Sequence, residues 1–149
     1  MPSKKKPILY EAWEEMINII PKLREAVRKS MERDQQMFVH NISRVKMERN
    51  FMRNAMDFFH GKWALDIIYT IVNLKTPYYN DIQKTLSDIN SRTLTMRLKE
   101  LQKKNVIKRN VEMGQPIRVY YTMTEFGMGV YEMILPFIFY FILPEELRK

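Results

Sequence analysis

The densest charge in the sequence lies between Ser91 and Arg109, where seven lysines or arginines stand against a single glutamate. This short segment carries most of the formal net charge of +8 of the whole chain. Such a concentration of cations favours a polyanionic partner, either a nucleic acid or an acidic membrane surface. A solvated helix face normally mixes both signs, so a merely surface role explains the pattern less well.

These cations fall on one side of a predicted helix that runs from Ser91 to about Lys104. At 100° per residue, Leu98 and Leu101 lie within about 40° of Leu94, which defines the core stripe. The opposite side is cationic, with threonines on its flanks: Arg92, Thr93, Thr95, Met96, Lys99 and Lys103. The pattern therefore predicts a helix that buries its leucines and turns basic residues outward.

The segments around this helix predict a mainly α (α+β) fold, a winged helix-turn-helix domain. Helical patterns at 62–74 and 79–87 precede it, and a turn at 88–90 leads to Ser91 as the expected N-cap. The apolar period then changes to two, which predicts strands at 106–111 and 117–122 around a glycine-containing tip. These strands form a two-stranded β-hairpin wing. Thr124 is the expected cap of a last helix over 125–143.

Upstream, residues 1–7 are expected to be a disordered basic tail and residues 8–20 a short helix. Pro21 is placed in the first turn of a new long N-terminal helix that Gly61 closes. Its apolar stripe has heptad-like spacing: Val27, Met31, Phe38, Ile42, Val45, Met52, Met56 and Phe59. We therefore expect residues 8–60 to be a dimerisation extension, 61–124 the winged domain and 125–149 a C-terminal dimerisation helix.

In a helix-turn-helix the second helix enters the major groove of double-stranded DNA, which assigns roles to its outer residues. Ser91 and Arg92 begin that helix. Arg92 could bond a guanine, Thr93 or Thr95 could touch a thymine methyl, and Met96 could contact a base methyl or be tolerated there. Phosphate contacts suit the remaining cations: Lys99, Lys103 and Lys104. Arg97 lies nearer the core and is either structural or phosphate-facing.

The wing offers a second contact. Lys108 and Arg118 are placed to meet the DNA backbone or minor groove beside the helix, and Gln115 at the tip could do the same. The alternative is a hairpin that only caps the domain.

Other function classes find no support in the sequence. The absence of cysteine excludes disulfides, thiolate catalysis and cysteine-ligated metals. The two histidines, His40 and His60, are expected at a surface or interface, and no enzymatic site or cofactor is predicted. The apolar stretch 130–143 is shorter than the roughly 20 residues of a spanning helix. We therefore expect no membrane association and a cytoplasmic, nucleoid-associated protein.

Three runs resemble the HxlR family of winged-helix regulators in the MarR-like superfamily: GKWALDIIYTI at 61–71, the whole of 79–109, and IRVYYTMTEFG at 117–127. The resemblance implies a homodimeric transcription factor whose terminal helices build the dimer. Its recognition helices, Ser91 to Lys104, would enter successive major grooves, with the wing from Val106 to Thr122. Many members sense oxidants through a cysteine that this chain lacks, and the family does not explain the long N-terminal region.

Two alternatives to a sequence-specific regulator remain open on the sequence. An architectural protein that coats DNA is favoured by residues 22–53, which hold nine lysines or arginines against four acids. A protein-interaction module that has lost DNA binding is disfavoured by the cationic helix face. The operator, the sign of regulation and any small-molecule effector are left open.

Overall fold

The computed structural model describes residues 12–37, 41–57 and 61–147. Six helices occur in these ranges, α1 (Glu14–Met37), α2 (Ile42–Met56), α3 (Ala64–Leu74), α4 (Tyr79–Thr85), α5 (Ser91–Lys103) and α6 (Glu125–Ile142). Two strands, β1 (Ile107–Glu112) and β2 (Arg118–Met123), stand between α5 and α6, and a 3-10 turn covers Glu145–Leu147. The chain divides into two compact units, one formed by Lys46–Glu132 and the other by the segments before and after it.

The unit from Lys46 to Glu132 has the predicted winged helix-turn-helix fold. Its core lies between α3, α4 and α5, where Ile67, Ile71, Ile82 and Leu94 are fully buried. Burying a side chain of this size contributes roughly 1.5–3 kcal/mol, so this cluster holds the three helices together. The helical periods that identified these residues in the sequence are confirmed as the core faces.

The wing is a two-stranded antiparallel sheet. Its register runs from Ile107 opposite Met123 to Glu112 opposite Arg118. Each observed strand therefore begins and ends one residue later than predicted. The base of the hairpin is buried through Val106 and Ile107. This burial anchors the strands to the helices and leaves the tip exposed.

The junction between wing and last helix is tightly closed. The backbone N–H of Thr124 donates to the carbonyl of Val106 at 3.0 Å, and its hydroxyl accepts from the N–H of Gly127 at 2.9 Å. The predicted cap at Thr124 is therefore confirmed. A Cβ on Gly127 would lie 2.0 Å from the carbonyl oxygen of Val106, so this close approach requires glycine.

The second unit packs α1 against the C-terminal part of α6. Ile17 and Ile20 are buried together with Phe139 and Leu143, and the ring of Trp13 lies 5.2 Å from that of Phe139. A small apolar cluster thus joins the two ends of the described chain.

Three predicted helix boundaries are wrong. Pro21 lies inside α1 rather than at a new start, where Ile17 and Ile20 on the preceding turns are held by packing. The long helix is interrupted at Asn41, whose side chain accepts from the N–H of Arg44 at 3.0 Å and caps α2. Asn90, not Ser91, caps α5 by accepting from the N–H of Thr93 at 2.8 Å.

Apolar side chains remain exposed on the terminal helices. On α1 and α2 they include Val27, Met31, Ile42, Val45, Met52 and Met56, and on α6 Met133, Phe137 and Phe141. By length and composition alone, α6 is also apolar enough to cross a membrane, with a mean hydropathy of 1.4 over 18 residues. The tail at 1–7, Phe38, Phe59 and both histidines lie outside the described residues.

Candidate nucleic-acid interface

The outer face of α5 is held in place from the opposite side of the helix. Leu94, Leu98 and Leu101 are at most 2% exposed and fix the helix rotationally, while Asn90 fixes its first turn. Because these contacts use only one side, the other is left free for a ligand.

That free side forms an open depression of about 600 Å³. Its lining comes from α5 alone: Ser91, Arg92, Thr95, Met96, Lys99, Glu100 and Lys103. The helical wheel predicts five of these seven residues on the outer face, and Ser91 is expected at the start of the helix. Arg92, Lys99 and Lys103 are exposed, and the side chain of Met96 is 46% exposed.

The exception is Glu100, which sequence reasoning left out of the face. Its carboxylate accepts from Nη1 of Arg97 at 2.6 Å, so the negative charge is paired with a cation from the preceding turn. The three outward cations therefore dominate the electrostatic potential of the depression.

Arg97 lies off this face and is engaged within the protein. Its guanidinium occupies the space beside Gly61, where a Cβ would come within 2.4 Å of it. Gly61 has a φ of +105°, a conformation that glycine adopts easily. Of the two roles expected for Arg97, this placement favours the structural one.

Three further predicted residues are also engaged with neighbours. Lys104 Nζ donates to the carbonyl oxygen of Asp57 at 2.6 Å, so its ammonium is anchored at the end of α5. The hydroxyl of Thr95 lies 3.2 Å from that of Tyr79, and Thr93 is half-buried. Because Arg97 and Lys104 are engaged within the protein, fewer cations of this helix are available to a ligand than the charge count suggests.

The wing residues Lys108, Gln115 and Arg118 are all exposed. The guanidinium of Arg118 lies 5.6 Å from the ring centre of Tyr78, and Arg118 is opposite Glu112 in the strand register. The hydroxyl of Tyr78 donates to Glu112 at 2.9 Å. These contacts fix the side chain at the open end of the hairpin.

Sequence reasoning missed the two tyrosines that open α4. Tyr79 donates its hydroxyl proton to the carbonyl of Ser91 at 3.1 Å, whereas Tyr78 contacts the wing through Arg118 and Glu112. Asp81 accepts from the N–H of Tyr78 at 2.9 Å and holds the start of α4. Because tyrosine is not an N-cap residue, the local sequence carries no signal that identifies the two tyrosines. The adjacent tyrosines thus support both parts of the site.

Across the described ranges, no group of three or more histidine, cysteine, aspartate or glutamate side chains could hold a metal ion.

Comparison with known proteins identifies the family. The model of the HxlR-like helix-turn-helix family matches residues 58–140, more than half of the chain. The chain belongs to the HxlR-like helix-turn-helix family. The matched segment includes α3 to α5, the wing and most of α6, and it excludes α1 and α2.

A curated relative is the uncharacterized HTH-type transcriptional regulator YdeP of Bacillus subtilis, 33% identical over 84 residues. These residues are 56% of this chain and 65% of YdeP. The aligned part therefore spans slightly less than two thirds of that relative's length.

Solved structures share the fold. Diamide-treated YodB from Bacillus subtilis matches with a TM-score of 0.55 and 26% identity over 60% of this chain and 87% of YodB. A MarR-family protein from Porphyromonas gingivalis matches with a TM-score of 0.50 and 32% identity over 58% of this chain and 80% of that one. This chain contains no cysteine, so it cannot sense thiol oxidants through a cysteine side chain.

Proposed function

We propose that this protein is a DNA-binding transcriptional regulator that acts as a homodimer. The observation that carries the proposal is the outer face of α5, where Arg92, Lys99 and Lys103 are exposed and the nearby Glu100 is neutralised by Arg97. A helix with this face can enter the major groove, which admits one α-helix.

The residues of this face divide into two roles. Arg92 lies in the first turn, where the guanidinium can donate two bonds to a guanine edge, and Met96 is placed to meet a base methyl. Lys99 and Lys103 lie about two and about three turns further along the helix, where they meet phosphates. On the wing, Lys108, Gln115 and Arg118 bind the flanking backbone.

The dimer is proposed from uncovered apolar surface. A groove of about 440 Å³ lies between α1 and α6 in one unit, lined by Ile20, Leu23, Arg24, Val27, Arg28, Met31, Met133, Pro136, Phe137 and Tyr140. Phe137 is 64% exposed and Val27 is 49% exposed. A soluble monomer rarely exposes a contiguous apolar patch of this kind, so we assign the groove to a second copy. Two-fold symmetry then presents two recognition helices to half-sites about one helical turn apart.

We propose that the protein acts in the cytoplasm, at the nucleoid. Although α6 is apolar enough to cross a membrane, one side of it is already buried against α1 through Phe139. We therefore assign its exposed side to the dimer. The proposal includes no catalysed reaction and leaves any effector unnamed.

The test compares Arg92→Ala with Lys103→Ala on a site selected from random DNA and on a pool of unrelated sequences. Arg92→Ala should cost about 1–3 kcal/mol on the selected site and far less on the pool, because it removes a base contact. Lys103→Ala should weaken both about equally and reduce the salt slope by roughly one per site.

Two results would contradict the proposal. If wild-type protein binds no duplex at low salt, the proposal is wrong. If Arg92→Ala lowers affinity equally on every sequence, the protein reads no bases through this residue, and an architectural role replaces regulation at a defined operator.

A further inference from the structure

A second basic surface lies on α2, outside the segment that the family model matches. At 100° per residue, Lys46, Arg49 and Arg53 fall within about 60° of one another along this helix. The helix carries one acid, Glu48, which lies about 100° or more from this stripe. Three cations thus share one side of α2 with the exposed Ile42 and Met56, and we refer to Lys46, Arg49 and Arg53 as the α2 stripe.

The α2 stripe is exposed and available. All side chains of α2 are described, and none of them is buried. Arg44, by contrast, bonds Asp34 and is partly buried. Within the described part of the chain, Lys46, Arg49 and Arg53 have no ion pair of this kind. Like charges on neighbouring turns of one exposed helix face repel each other weakly, and a bound anion relieves this repulsion.

The helix that carries the stripe is joined to the recognition helix. The part of α2 from Lys46 onward and the whole of α5 belong to the compact unit Lys46–Glu132. Lys104 at the end of α5 donates to the carbonyl of Asp57, one residue beyond α2. At 1.5 Å per residue, the stripe begins about 6 Å and ends about 17 Å along α2 from that joint. Lys103, a proposed phosphate contact, is adjacent to the same joint.

We propose that the α2 stripe binds the phosphate backbone of the same DNA duplex, outside the half-site that α5 reads. The inference rests on the proposed DNA binding and adds to it a contact surface. Charge complementarity selects the occupant, because guanidinium and ammonium groups bind phosphate and an apolar protein partner would leave them desolvated. Such contacts raise affinity and lengthen the bound site without reading sequence.

The test uses two triple variants of the full-length protein with the same loss of charge. In the stripe variant, Lys46→Gln, Arg49→Gln and Arg53→Gln are combined. In the control, Lys22→Gln, Lys29→Gln and Arg33→Gln remove three exposed cations from α1. Circular dichroism verifies that both retain wild-type helicity. Affinity is measured against salt on a duplex that extends well beyond the selected site, together with the hydroxyl-radical footprint.

For the stripe variant, the slope of log affinity against log salt should fall by about 2–3 per protomer, since each phosphate contact contributes about 0.9. Its footprint should shorten at the outer edges and stay unchanged over the half-sites. The control should match wild type in both measurements.

Three results overturn the inference. Equal slopes and footprints for the two variants show that the stripe is only a solvated face. A footprint weakened over the half-sites as well shows that the stripe acts through folding or general charge. If wild-type protein binds no duplex, the proposed function fails and this inference fails with it, whereas normal wild-type binding with an unaffected stripe variant removes only the inference.

Discussion

At Gly127, a single hydrogen atom in place of a side chain lets α6 begin directly against the wing. The carbonyl of Val106 that a Cβ would meet at 2.0 Å is fixed by the N–H of Thr124. A backbone atom held in this way cannot move aside as a flexible side chain would. The Gly in the run at 117–127 is therefore explained by close packing.

Gly127→Ala should lower the free energy of unfolding by about 1–3 kcal/mol, the usual range for an overfilled site. Gly129→Ala is the matched control two residues later in the same helix. Nothing lies within 4 Å of its Cβ position, so it should raise stability by about 0.5–1 kcal/mol. Urea unfolding of both variants measures the difference, and equal effects would refute the steric argument.

Tyr121 makes stability sensitive to alkaline pH. Burial raises the pKa of its phenol, and Tyr79 adds to this, whereas the charge and hydrogen bond of Arg109 oppose it. The folded state therefore keeps the proton to a higher pH than the unfolded chain. The associated stability is fully present below the unfolded pKa of about 10 and is lost as pH rises through the folded pKa.

Tyr121→Phe should consequently reduce the loss of unfolding free energy between about pH 9 and 11. Burial also raises the pKa of Tyr131, so the double variant with Tyr131→Phe should have a flatter profile still. Denaturant titrations across this range test the expectation. If the unfolding free energy of the double variant depended on pH as steeply as that of wild type, these two phenols would not control stability at alkaline pH.

Single residues also mark the limit of what the helical wheel could predict. It placed Arg92, Met96, Lys99 and Lys103 on the outer face because their positions depend only on the helix itself. The engagement of Arg97 beside Gly61 and of Lys104 with Asp57 depends on partners more than 35 positions away. Long-range contacts of this kind leave no local pattern in the sequence.

Among the elements, α5 depends most on how it begins. The side chain of Asn90 accepts from the N–H of Thr93, directly beside Arg92. Loss of an N-cap of this type costs about 0.5–2 kcal/mol and frays the first turn.

Asn90→Ala should thus destabilise the protein by about 1 kcal/mol and weaken binding to the selected site more than to unrelated DNA. The base-reading end of the helix would be disordered while the phosphate-binding end is kept. Asn90→Ser retains a capping oxygen, so this variant should keep both the stability of wild type and its preference for the selected site. A loss of affinity that is equal on all DNA would contradict this link between the cap and specificity.

Element boundaries were predicted well where a strong stop signal exists and poorly where tertiary packing overrides it. The hairpin and the helices of the winged unit were found because the apolar period changes after Lys104. Pro21 was read as a helix start, yet the buried Ile17 and Ile20 carry α1 through it. The cap at Asn41 is not predicted, because an asparagine inside a helical apolar pattern is a weak signal by itself.

For the whole molecule, the decisive property is the assembly state. We expect a dimer at micromolar concentration in sedimentation or light scattering, with the groove between α1 and α6 covered. Phe137→Glu should convert it to monomer, because it places a charge in the apolar contact. Affinity for a two-half-site operator should then fall towards that of a single half-site.

Met113→Glu is the matched control. Met113 is 83% exposed at the hairpin tip, so the same charge there should leave the mass unchanged. Wild-type protein that is monomeric under these conditions would refute the dimer. The heptad-like apolar stripe in the sequence predicts that these side chains are buried. It does not identify the surface that buries them, because any apolar partner would satisfy the same pattern.

The paired tyrosines at the start of α4 have a consequence for the DNA that this protein selects. Tyr79 touches α5 through Ser91 and Tyr78 touches the wing through Arg118, so one dipeptide sets the separation between the two contact surfaces. In hydroxyl-radical footprints of different selected sites, the number of base pairs between the positions that Arg92 reads and the backbone protected by the wing should be constant.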